Sequence, residues 1–449
     1  MLRLSEMDKA VITQAAVSDY LRPFLDGTVR LGILGQGYVG LPLAEAFAQS
    51  GVHVLGFDVD QRKVEAILHG ESYVLDVSSA SLKTYVKQGL ISATTDFSRL
   101  NECEAISICV PTPLSKSKTP DVSCIEAATS EIKKRLRKGQ LIVLESTTYP
   151  GTTVELVLPV LQQTGLRVGR DFFLAFSPER VDPGNRHFTV RNTPKIIGGV
   201  TPECTRRAVE LYGHALERVY PVSSPVVAEM VKLLENSFRA VNIAFINELA
   251  MMCKRLGISV WEVIEAAKTK PFGFMPFYPG PGLGGHCIPI DPLYLSWKMT
   301  HLNYKALFID LADTVNARMP EYVIGEVMDQ LNEHGLVVRG SRILVLGVAY
   351  KENIGDVRES PSLDLISLLM ARGADVAYHD PHVPSCRVDG LTLTSQPLTA
   401  ELLAESALVL IATAHEGIDY SWVVEHARLV FDAKNATGPL GLNGKIRRI

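Results

Sequence analysis

The stretch VRLGILGQGYVGLPLAEAF, residues 29–47, is the most informative part of this 449-residue chain. An apolar run over residues 29–34 is followed by a helix-like stretch over residues 41–50, and between them lies the turn Gly35-Gln36-Gly37-Tyr38-Val39-Gly40. A strand, a glycine turn and a helix in that order are typical of a dinucleotide-binding unit. The glycines permit the tight turn and let a pyrophosphate approach the positive N-terminus of the helix.

An acidic residue follows this turn at the spacing that the interpretation requires. The next strand, predicted over residues 52–57, ends in Asp58, roughly twenty residues after the last glycine. Its carboxylate would accept hydrogen bonds from ribose hydroxyls and repel a 2′-phosphate, so NAD is favoured over NADP. The nearby cations Arg62 and Lys63 weaken that exclusion of NADP, and Arg62 is itself a candidate cofactor contact. A glycine-rich turn without a cofactor is the structural alternative.

The rest of the chain predicts an α/β fold with two Rossmann-like, doubly wound parallel-sheet domains around a central all-helical domain. Strand-like runs alternate with helical stretches up to about residue 222, vanish between residues 223 and 318, and resume at Arg342 without the full glycine fingerprint. A long helix beginning near Val226 leads into the helical part and is a candidate subunit interface. The predicted divisions are a helical extension (1–27), an NAD-binding domain (28–222), a helical dimerisation domain (223–325) and a C-terminal α/β domain (326–449).

Composition excludes several classes of protein. A formal charge of −4 gives no basic excess for nucleic acid or an anionic membrane. The seven cysteines are scattered without a CxxC pair, which argues against a disulfide framework or a zinc ribbon and indicates a reducing compartment. The chain has no signal peptide pattern and no run of about 18 apolar residues. We expect a cytoplasmic protein that binds no nucleic acid, membrane or metal.

The segment FMPFYPGPGLGGHCIPIDP, residues 274–292, is the most unusual one. Its glycines and prolines predict a fixed, irregular backbone that can wrap closely around a ligand. Cys287 directly follows this backbone and precedes Asp291 by four residues. A thiolate there is a candidate nucleophile, whereas a buried, inert cysteine is the alternative.

Other candidate residues lie at predicted strand ends and on the long helix. The segments VPTP (110–113), ESTTYPGT (145–152) and FSPER (176–180) follow strands, where open sheets place ligands, although each could be an ordinary turn. Lys232, Asn236 and Arg239 share one helix face by their spacing. A solvated polar stripe is the alternative for that face.

With these segments in order, the chain resembles the nucleotide-sugar 6-dehydrogenases, the UDP-glucose/UDP-N-acetylhexosamine dehydrogenase family, from Val29 to about Phe431. The resemblance rests on GQGYVG, VPTP, STTYPGTT, FSPER, the Lys232/Asn236 helix, PGPGLGGHC, and GVAYK followed by DVRESP. It implies oxidation of a primary alcohol at carbon 6 to a carboxylate in two hydride transfers to NAD. The intermediates implied are a thiohemiacetal and a thioester on the cysteine.

The resemblance also implies a role for each matching residue. Cys287 is the nucleophile, Lys232 and Asn236 stabilise the oxyanion with Lys232 sharing the role of base with water, and Asp291, Glu179 and Thr147 handle water and protons. The implied cofactor contacts are the six residues of the glycine turn, Asp58, Arg62, Thr112, Thr147 and Arg358. The implied UDP-sugar contacts are Glu179, Arg180, Val181, Lys232, Asn236, Arg239, Tyr278, Gly282, Gly284, Tyr350 and Lys351, with the UDP held largely by the C-terminal domain.

The motifs also bear on which sugar is oxidised. The glucose-specific branch typically reads FSPEFLRE and has a lysine just before the final aspartate, whereas this chain has FSPERVDPGN and CIPID. This favours the UDP-N-acetylhexosamine branch, and GLGGHCIPIDP is more similar to the N-acetylglucosamine enzymes than to the mannosamine ones. The expected product is UDP-N-acetyl-D-glucosaminuronate for a surface polysaccharide such as O-antigen or capsule, with UDP-N-acetylmannosamine, UDP-N-acetylgalactosamine and UDP-glucose as alternative substrates. A single-step hydroxyacid dehydrogenase and a non-catalytic NAD-binding regulator are the alternatives from other classes.

Overall fold

The computed structural model describes residues 28–115, 119–182, 184–185, 187–441 and 444–449, together with Pro23 and Asp26. The predicted helical extension over residues 1–27 therefore lies, apart from those two residues, outside the described part. The chain forms two compact units, of which one extends to Pro113 and resumes over Asp121–Lys232, and the other comprises Leu114–Pro120 and Leu233–Ile449. The predicted fold class is confirmed, since mainly parallel sheets and a helical stretch between them are present. The three predicted domain boundaries stay predictions.

The first unit is built on an eight-stranded sheet in the order β3-β2-β1-β4-β5-β6-β7-β8. Its strands are β1 (Arg30–Leu34), β2 (His53–Phe57), β3 (Ile91–Thr94), β4 (Ala105–Ile108), β5 (Leu141–Leu144), β6 (Phe173–Phe176), β7 (Lys195–Gly199) and β8 (Val219–Val222). The strands from β3 to β6 are parallel, so their carboxyl ends meet at one edge of the sheet. β7 runs antiparallel to β6 and parallel to β8, which departs from the predicted all-parallel sheet.

Helices connect these strands on both faces of the sheet. They are α1 (Gly40–Gln49), α2 (Gln61–His69), α3 (Ser79–Lys87), α4 (Ser123–Lys133), α5 (Leu158–Gln162) and α6 (Pro202–Ala215). Side chains on a strand alternate between two cores, so Leu31 packs in the same cluster as Phe47 of α1, and Ile106 in the same cluster as Ile125 of α4. Burial of both faces explains why the strands read as continuous apolar runs.

The second unit contains helices followed by a five-stranded parallel sheet in the order β10-β9-β13-β14-β15. Its strands are β9 (Arg342–Leu346), β10 (Asp375–His379), β13 (Leu408–Ile411), β14 (Val430–Asp432) and β15 (Ile446–Arg448), with a separate hairpin of β11 (Ser385–Val388) and β12 (Leu391–Thr394). The helices are α8 (Val260–Lys268), α9 (Asp291–His301), α10 (Leu307–Ala317), α11 (Met319–Glu333), α12 (Pro361–Ala371), α13 (Ala400–Glu405) and α14 (Tyr420–His426).

Helix α7 (Pro225–Leu256) begins in the first unit and ends in the second. Its buried Glu229 accepts hydrogen bonds from the Gly151 N–H (2.5 Å), the Thr153 N–H (2.9 Å) and the Thr153 hydroxyl (2.7 Å). Burial outweighs these bonds and raises the pKa of Glu229 to about 7. The carboxyl group therefore fixes the start of α7 to the turn after β5, which carries Thr147. None of the described helices has the length and apolar character needed to cross a membrane.

Candidate functional site

The glycine turn after β1 leaves open space next to the N-terminus of α1. A Cβ atom built on Gly37 meets nothing within 4 Å, whereas one built on Gly40 collides with the carbonyl oxygen of Gly35. Helix α1 begins at Gly40 and has no side-chain cap at its N-terminus. An open cradle beside an uncapped helix N-terminus fits the pyrophosphate of a dinucleotide.

Asp58, at the end of β2, holds this turn from the neighbouring strand. Its Oδ2 accepts the backbone N–H of Gln36 at 2.9 Å, while the Tyr73 hydroxyl donates to the Gln36 carbonyl at 2.6 Å. The Lys63 ammonium lies 3.3 Å from the same Oδ2. Arg62, a predicted cofactor residue, pairs with Asp60 at 2.9 Å and its side chain is 90% exposed.

The remaining predicted residues of the first unit follow β4, β5 and β6. Thr112, Thr147 and Glu179 therefore lie at the same sheet edge as the glycine turn and Asp58. Thr112 and Glu179 are buried, and Thr147 is half-buried. A dinucleotide across this edge would meet residues from five neighbouring strands, so the described residues fit NAD.

Glu179 is held as a carboxylate by several donors. Its Oε1 accepts the backbone N–H groups of Arg180 and Val181, each at 2.7 Å, and its Oε2 lies 3.3 Å from the Lys195 ammonium. Burial opposes ionisation, but Lys195, the Val181 N–H and the charge of Lys232 together lower the pKa of Glu179. The predicted substrate residues Arg180 and Val181 thus contribute backbone N–H groups here. The first unit brings Lys232 and Glu179 into electrostatic contact.

In the second unit, Cys287 lies in the turn that leads into α9. The carbonyl oxygen of Cys287 accepts the backbone N–H of Asp291 at 2.8 Å, and the Asn236 amide donates to Asp291 Oδ2 at 2.6 Å. Asp291 is buried, whereas Cys287 is partly exposed. Five of the other six cysteines are buried, so Cys287 is among the few thiols that a ligand can reach. This unit therefore brings together three predicted catalytic residues.

The glycine loop before Cys287 packs tightly against a predicted substrate residue. A Cβ built on Gly284 would lie 2.7 Å from the Tyr350 Cβ, and one built on Gly285, at φ +87°, would lie equally close to the Tyr350 ring. The Gly280 N–H donates to the buried Asn247 at 3.0 Å. A Cβ on Gly282 would lie 3.0 Å from the Pro361 side chain. The structure thus packs Gly284 against Tyr350, and both Gly282 and Gly284 against Pro361, the first residue of α12.

The loop that carries Tyr350 and Lys351 is held by a pair that the sequence did not predict. Asp380 accepts the backbone N–H groups of Val348 (2.7 Å) and Ala349 (3.0 Å) and contacts His415 Nε2 at 3.0 Å. His415 Nδ1 accepts the Asn353 N–H at 2.9 Å, so the ring proton is on Nε2. Burial opposes ionisation of Asp380, but these donors lower its pKa to about 2. The signal was present, because Asp380 ends β10 as Asp58 ends β2.

The other predicted residues of the second unit are less closely grouped. The Tyr278 hydroxyl bonds Glu265 at 2.9 Å, Arg239 is exposed on α7, and Arg358 pairs with Asp356 at 2.6 Å. Lys434, two residues after β14, was not singled out from the sequence, although its ammonium lies beside the glycine loop, 3.7 Å from a Cβ built on Gly280. A cation after a predicted strand end was the signal for Lys434.

Three models of one protein family match successive parts of the chain. They are the NAD binding domain (residues 29–216), the central domain (226–318) and the UDP binding domain (344–439) of the UDP-glucose/GDP-mannose dehydrogenase family. Together they span most of the described residues, in the order that the sequence motifs predicted.

Individual relatives are similar over most of their length. A UDP-N-acetyl-D-glucosamine 6-dehydrogenase of Pseudomonas aeruginosa is 37% identical over 79% of this chain and 83% of its own. A UDP-N-acetyl-D-mannosamine dehydrogenase of Salmonella typhi is 36% identical over 90% of this chain and 98% of its own. Among solved structures, a UDP-D-ManNAc dehydrogenase from Pyrococcus horikoshii has a TM-score of 0.86 at 32% identity, covering 94% of this chain and 99% of that one.

Alanine substitutions at Gly37 and Gly40 should differ in their effects on stability and on NAD binding. We expect Gly37→Ala to leave the thermal midpoint nearly unchanged but to weaken NAD binding about ten- to hundredfold, because its methyl group enters the cradle. Gly40→Ala is the matched variant, and we expect it to lower both stability, by about 3 kcal/mol, and NAD affinity, because the methyl meets the Gly35 carbonyl. Differential scanning fluorimetry and NAD titration measure both. Unchanged NAD affinity in Gly37→Ala would contradict the cradle.

Proposed function

The chain belongs to the UDP-glucose/GDP-mannose dehydrogenase family and is an NAD-dependent UDP-sugar dehydrogenase, and from that premise we propose that it oxidises carbon 6 of UDP-N-acetyl-D-glucosamine to a carboxylate. The product, UDP-N-acetyl-D-glucosaminuronate, supplies a surface polysaccharide such as O-antigen or capsule. The observation that carries the proposal is the turn from Cys287 to Asp291, together with the hydrogen bond that the Asn236 amide donates to Asp291. None of the seven cysteines forms a disulfide, which supports a reducing, cytoplasmic location.

The proposed oxidation has two halves, from the alcohol to the aldehyde and from the aldehyde to the carboxylate. Bound NAD supplies the hydride acceptor for both. In the first half, the C6 hydroxyl loses its proton to Lys232 or to water while the carbon loses hydride, which yields an aldehyde. Lys232 and Asn236 stabilise the negative oxygen by charge and by hydrogen bonding.

In the second half, the Cys287 thiolate forms a C–S bond to the aldehyde carbon. The resulting thiohemiacetal can lose a second hydride, whereas a bare aldehyde cannot, and the product is a thioester on Cys287. Water then adds to the thioester carbonyl, its proton passes to Asp291 or Glu179, and the C–S bond breaks to release the carboxylate and the thiolate. The buried Asp291 is supported in this role by the amide of Asn236.

The choice of sugar rests on residues next to the two motifs. The second glutamate and the lysine of the glucose-specific branch are absent, and Arg180 follows Glu179 in their place. Relatives that act on UDP-N-acetylglucosamine and on UDP-N-acetylmannosamine are almost equally similar. The GLGGHCIPIDP segment favours the glucosamine substrate, and UDP-N-acetylmannosamine is the second candidate.

We also propose that two copies of the chain associate through α7. Phe238, Phe245 and Met252 recur every seven residues on this helix and are all at least 45% exposed, and Leu234 extends the same stripe. On α10, Phe308 and Leu311 are also exposed. Apolar helix faces of this kind mark protein interfaces, and a second copy of the stripe is complementary to the first.

We expect a substrate panel to identify the sugar. With excess NAD, UDP-N-acetylglucosamine should give faster turnover than UDP-N-acetylmannosamine, UDP-N-acetylgalactosamine or UDP-glucose, with about two NADH formed per sugar. NADH absorbance measures both rate and stoichiometry. One NADH per sugar would instead identify a single-step dehydrogenase, and no NADH with any sugar would support a non-catalytic regulator.

Replacing the proposed nucleophile should stop turnover without loss of binding. We expect Cys287→Ser to lower steady-state kcat by roughly a thousandfold or more, because an alkoxide leaving group blocks completion of the second half. Titration calorimetry with the UDP-sugar should give an unchanged Kd. Cys124→Ser, at the other partly exposed cysteine, is the matched control and should keep full activity. Normal turnover by Cys287→Ser would refute the covalent mechanism.

Charges placed on the α7 stripe should separate the two copies. Light scattering should give about twice the 49.2 kDa chain mass for the wild type and the single mass for the Phe245→Glu/Met252→Glu variant, because the buried like charges would lack partners. Lys87→Glu, a charge change on the exposed face of α3, should keep the double mass. A wild-type protein of single mass at micromolar concentration would refute the dimer.

A further inference from the structure

A buried group of ionisable side chains surrounds Glu179 and has no role in the chemistry proposed above. The Lys195 ammonium lies 2.6 Å from Glu145 Oε2 and 3.3 Å from Glu179 Oε2. The Tyr212 hydroxyl donates to the other oxygen of Glu145, and the Ser107 hydroxyl lies 3.1 Å from that of Tyr212. All five side chains are at least nine-tenths buried.

The antiparallel strand β7 explains how Lys195 reaches this place. Ala175 pairs with Gly199 and Phe176 with Gly198. The same register, continued beyond the end of β6, places Lys195 opposite Glu179. In a parallel strand, the first residue would lie at the opposite edge of the sheet, away from the glycine turn. The reversal therefore delivers a cation to the edge where the cofactor and the proposed proton acceptor lie.

The buried group contains more carboxylates than ammonium groups, and its two carboxylates differ in pKa. Two carboxylates, Glu145 and Glu179, share one ammonium, and burial raises the pKa of Glu145 while the pKa of Glu179 is lowered. The other groups that face them are the Tyr212 hydroxyl, the Cys109 thiol and the Lys232 ammonium. Burial raises the pKa of both Cys109 and Tyr212, so these two are neutral. Lys232 adds a second positive charge on the side of Glu179.

We propose that Lys195 is a positioning residue for Glu179: its ammonium fixes the Glu179 carboxylate in one orientation as an anion, and Glu145 with Tyr212 holds the ammonium in place. The two backbone N–H groups occupy Oε1 and the ammonium contacts Oε2, so the carboxylate has little freedom to rotate. An anion held in this way can accept a proton from water as soon as a substrate arrives. The inference deepens the proposed function, because it rests on Glu179 acting there as a proton acceptor.

The pH dependence of kcat tests this inference through two variants with opposite effects. Activity falls at low pH as Glu179 becomes protonated. Lys195→Met removes the neighbouring positive charge, so we expect the acid limb of the profile to move up by about one to three pH units. Glu145→Gln removes a like charge and leaves the ammonium to Glu179 alone, so we expect the limb to move down. A merely structural role would move both variants in the same direction.

A charge-matched comparison covers the case in which Lys195→Met fails to fold, since it leaves Glu145 buried without its cation. Glu145→Gln and Glu145→Gln/Lys195→Met both have a neutral residue at position 145 and differ only in the lysine. The acid limb of the double variant should lie above that of the single one. Equal limbs, or shifts of one sign in all three variants, would overturn the proposal.

Glu179→Gln separates this inference from the proposed function. If Glu179 is the proton acceptor, this variant loses the acid limb, and adding Lys195→Met to it moves nothing further. If Glu179→Gln keeps the limb, the catalytic role of Glu179 is wrong, and the positioning role is then tested without turnover.

Infrared difference spectra supply that second test, because they report the ionisation of Glu179 directly. One spectrum is the wild type minus the Glu179→Gln variant, and the other is Lys195→Met minus Lys195→Met/Glu179→Gln, both at the same mildly acidic pH. The Glu179 band should be that of a carboxylate in the first spectrum and of a protonated carboxyl group in the second. A carboxylate band in both spectra would overturn the positioning role.

Discussion

In both units a carboxylate at the end of one parallel strand binds the backbone turn that follows the neighbouring strand. Asp58 accepts the Gln36 N–H after β1, and Asp380 accepts the Val348 and Ala349 N–H groups after β9. These N–H groups lie where no strand or helix partner is available, and an unpaired buried donor would cost about 1–3 kcal/mol. The aspartates satisfy them and so fix both turns in place.

The two turns are held by aspartates in the same way, but they lead into different structures. The first leads directly into α1, so it presents a helix N-terminus and an open space over Gly37. The second leads into an irregular loop that carries Tyr350 and Lys351, which His415 ties back to the same aspartate through Asn353. Helix α7 adds a third kind of support, because Lys232 and Asn236 lie about one turn apart on it, roughly 6 Å along its axis. A single continuous helix therefore presents both side chains on one face.

Departures from regular structure account for the residues that sequence patterns could not reveal. Lys195 is the first residue of β7, which runs antiparallel to β6. No local sequence pattern distinguishes an antiparallel strand from a parallel one in a buried sheet. Glu229 reads as one polar residue on a long helix, yet it is buried against the turn at Gly151. Asp380 could have been recognised, since its place at a strand end repeats that of Asp58. His415 could not, because its partner is 35 residues away along the chain.

Local patterns by themselves determined the strand–turn–helix start, the alternation of strands and helices, and the grouping of the motifs at strand ends. Those features depend on periodicity, on glycine geometry and on the rule that parallel strands end at one edge, all of which are properties of short segments. The sequence also determined that Cys287 follows a glycine-rich turn and precedes Asp291. Only the tertiary structure decided that Asn236 donates to Asp291, that Tyr350 packs against Gly284, and that Lys195 lies between two glutamates. Each of these contacts joins residues far apart in the chain, so each depends on the packing of the whole unit. For Lys195 that packing includes the direction and register of β7.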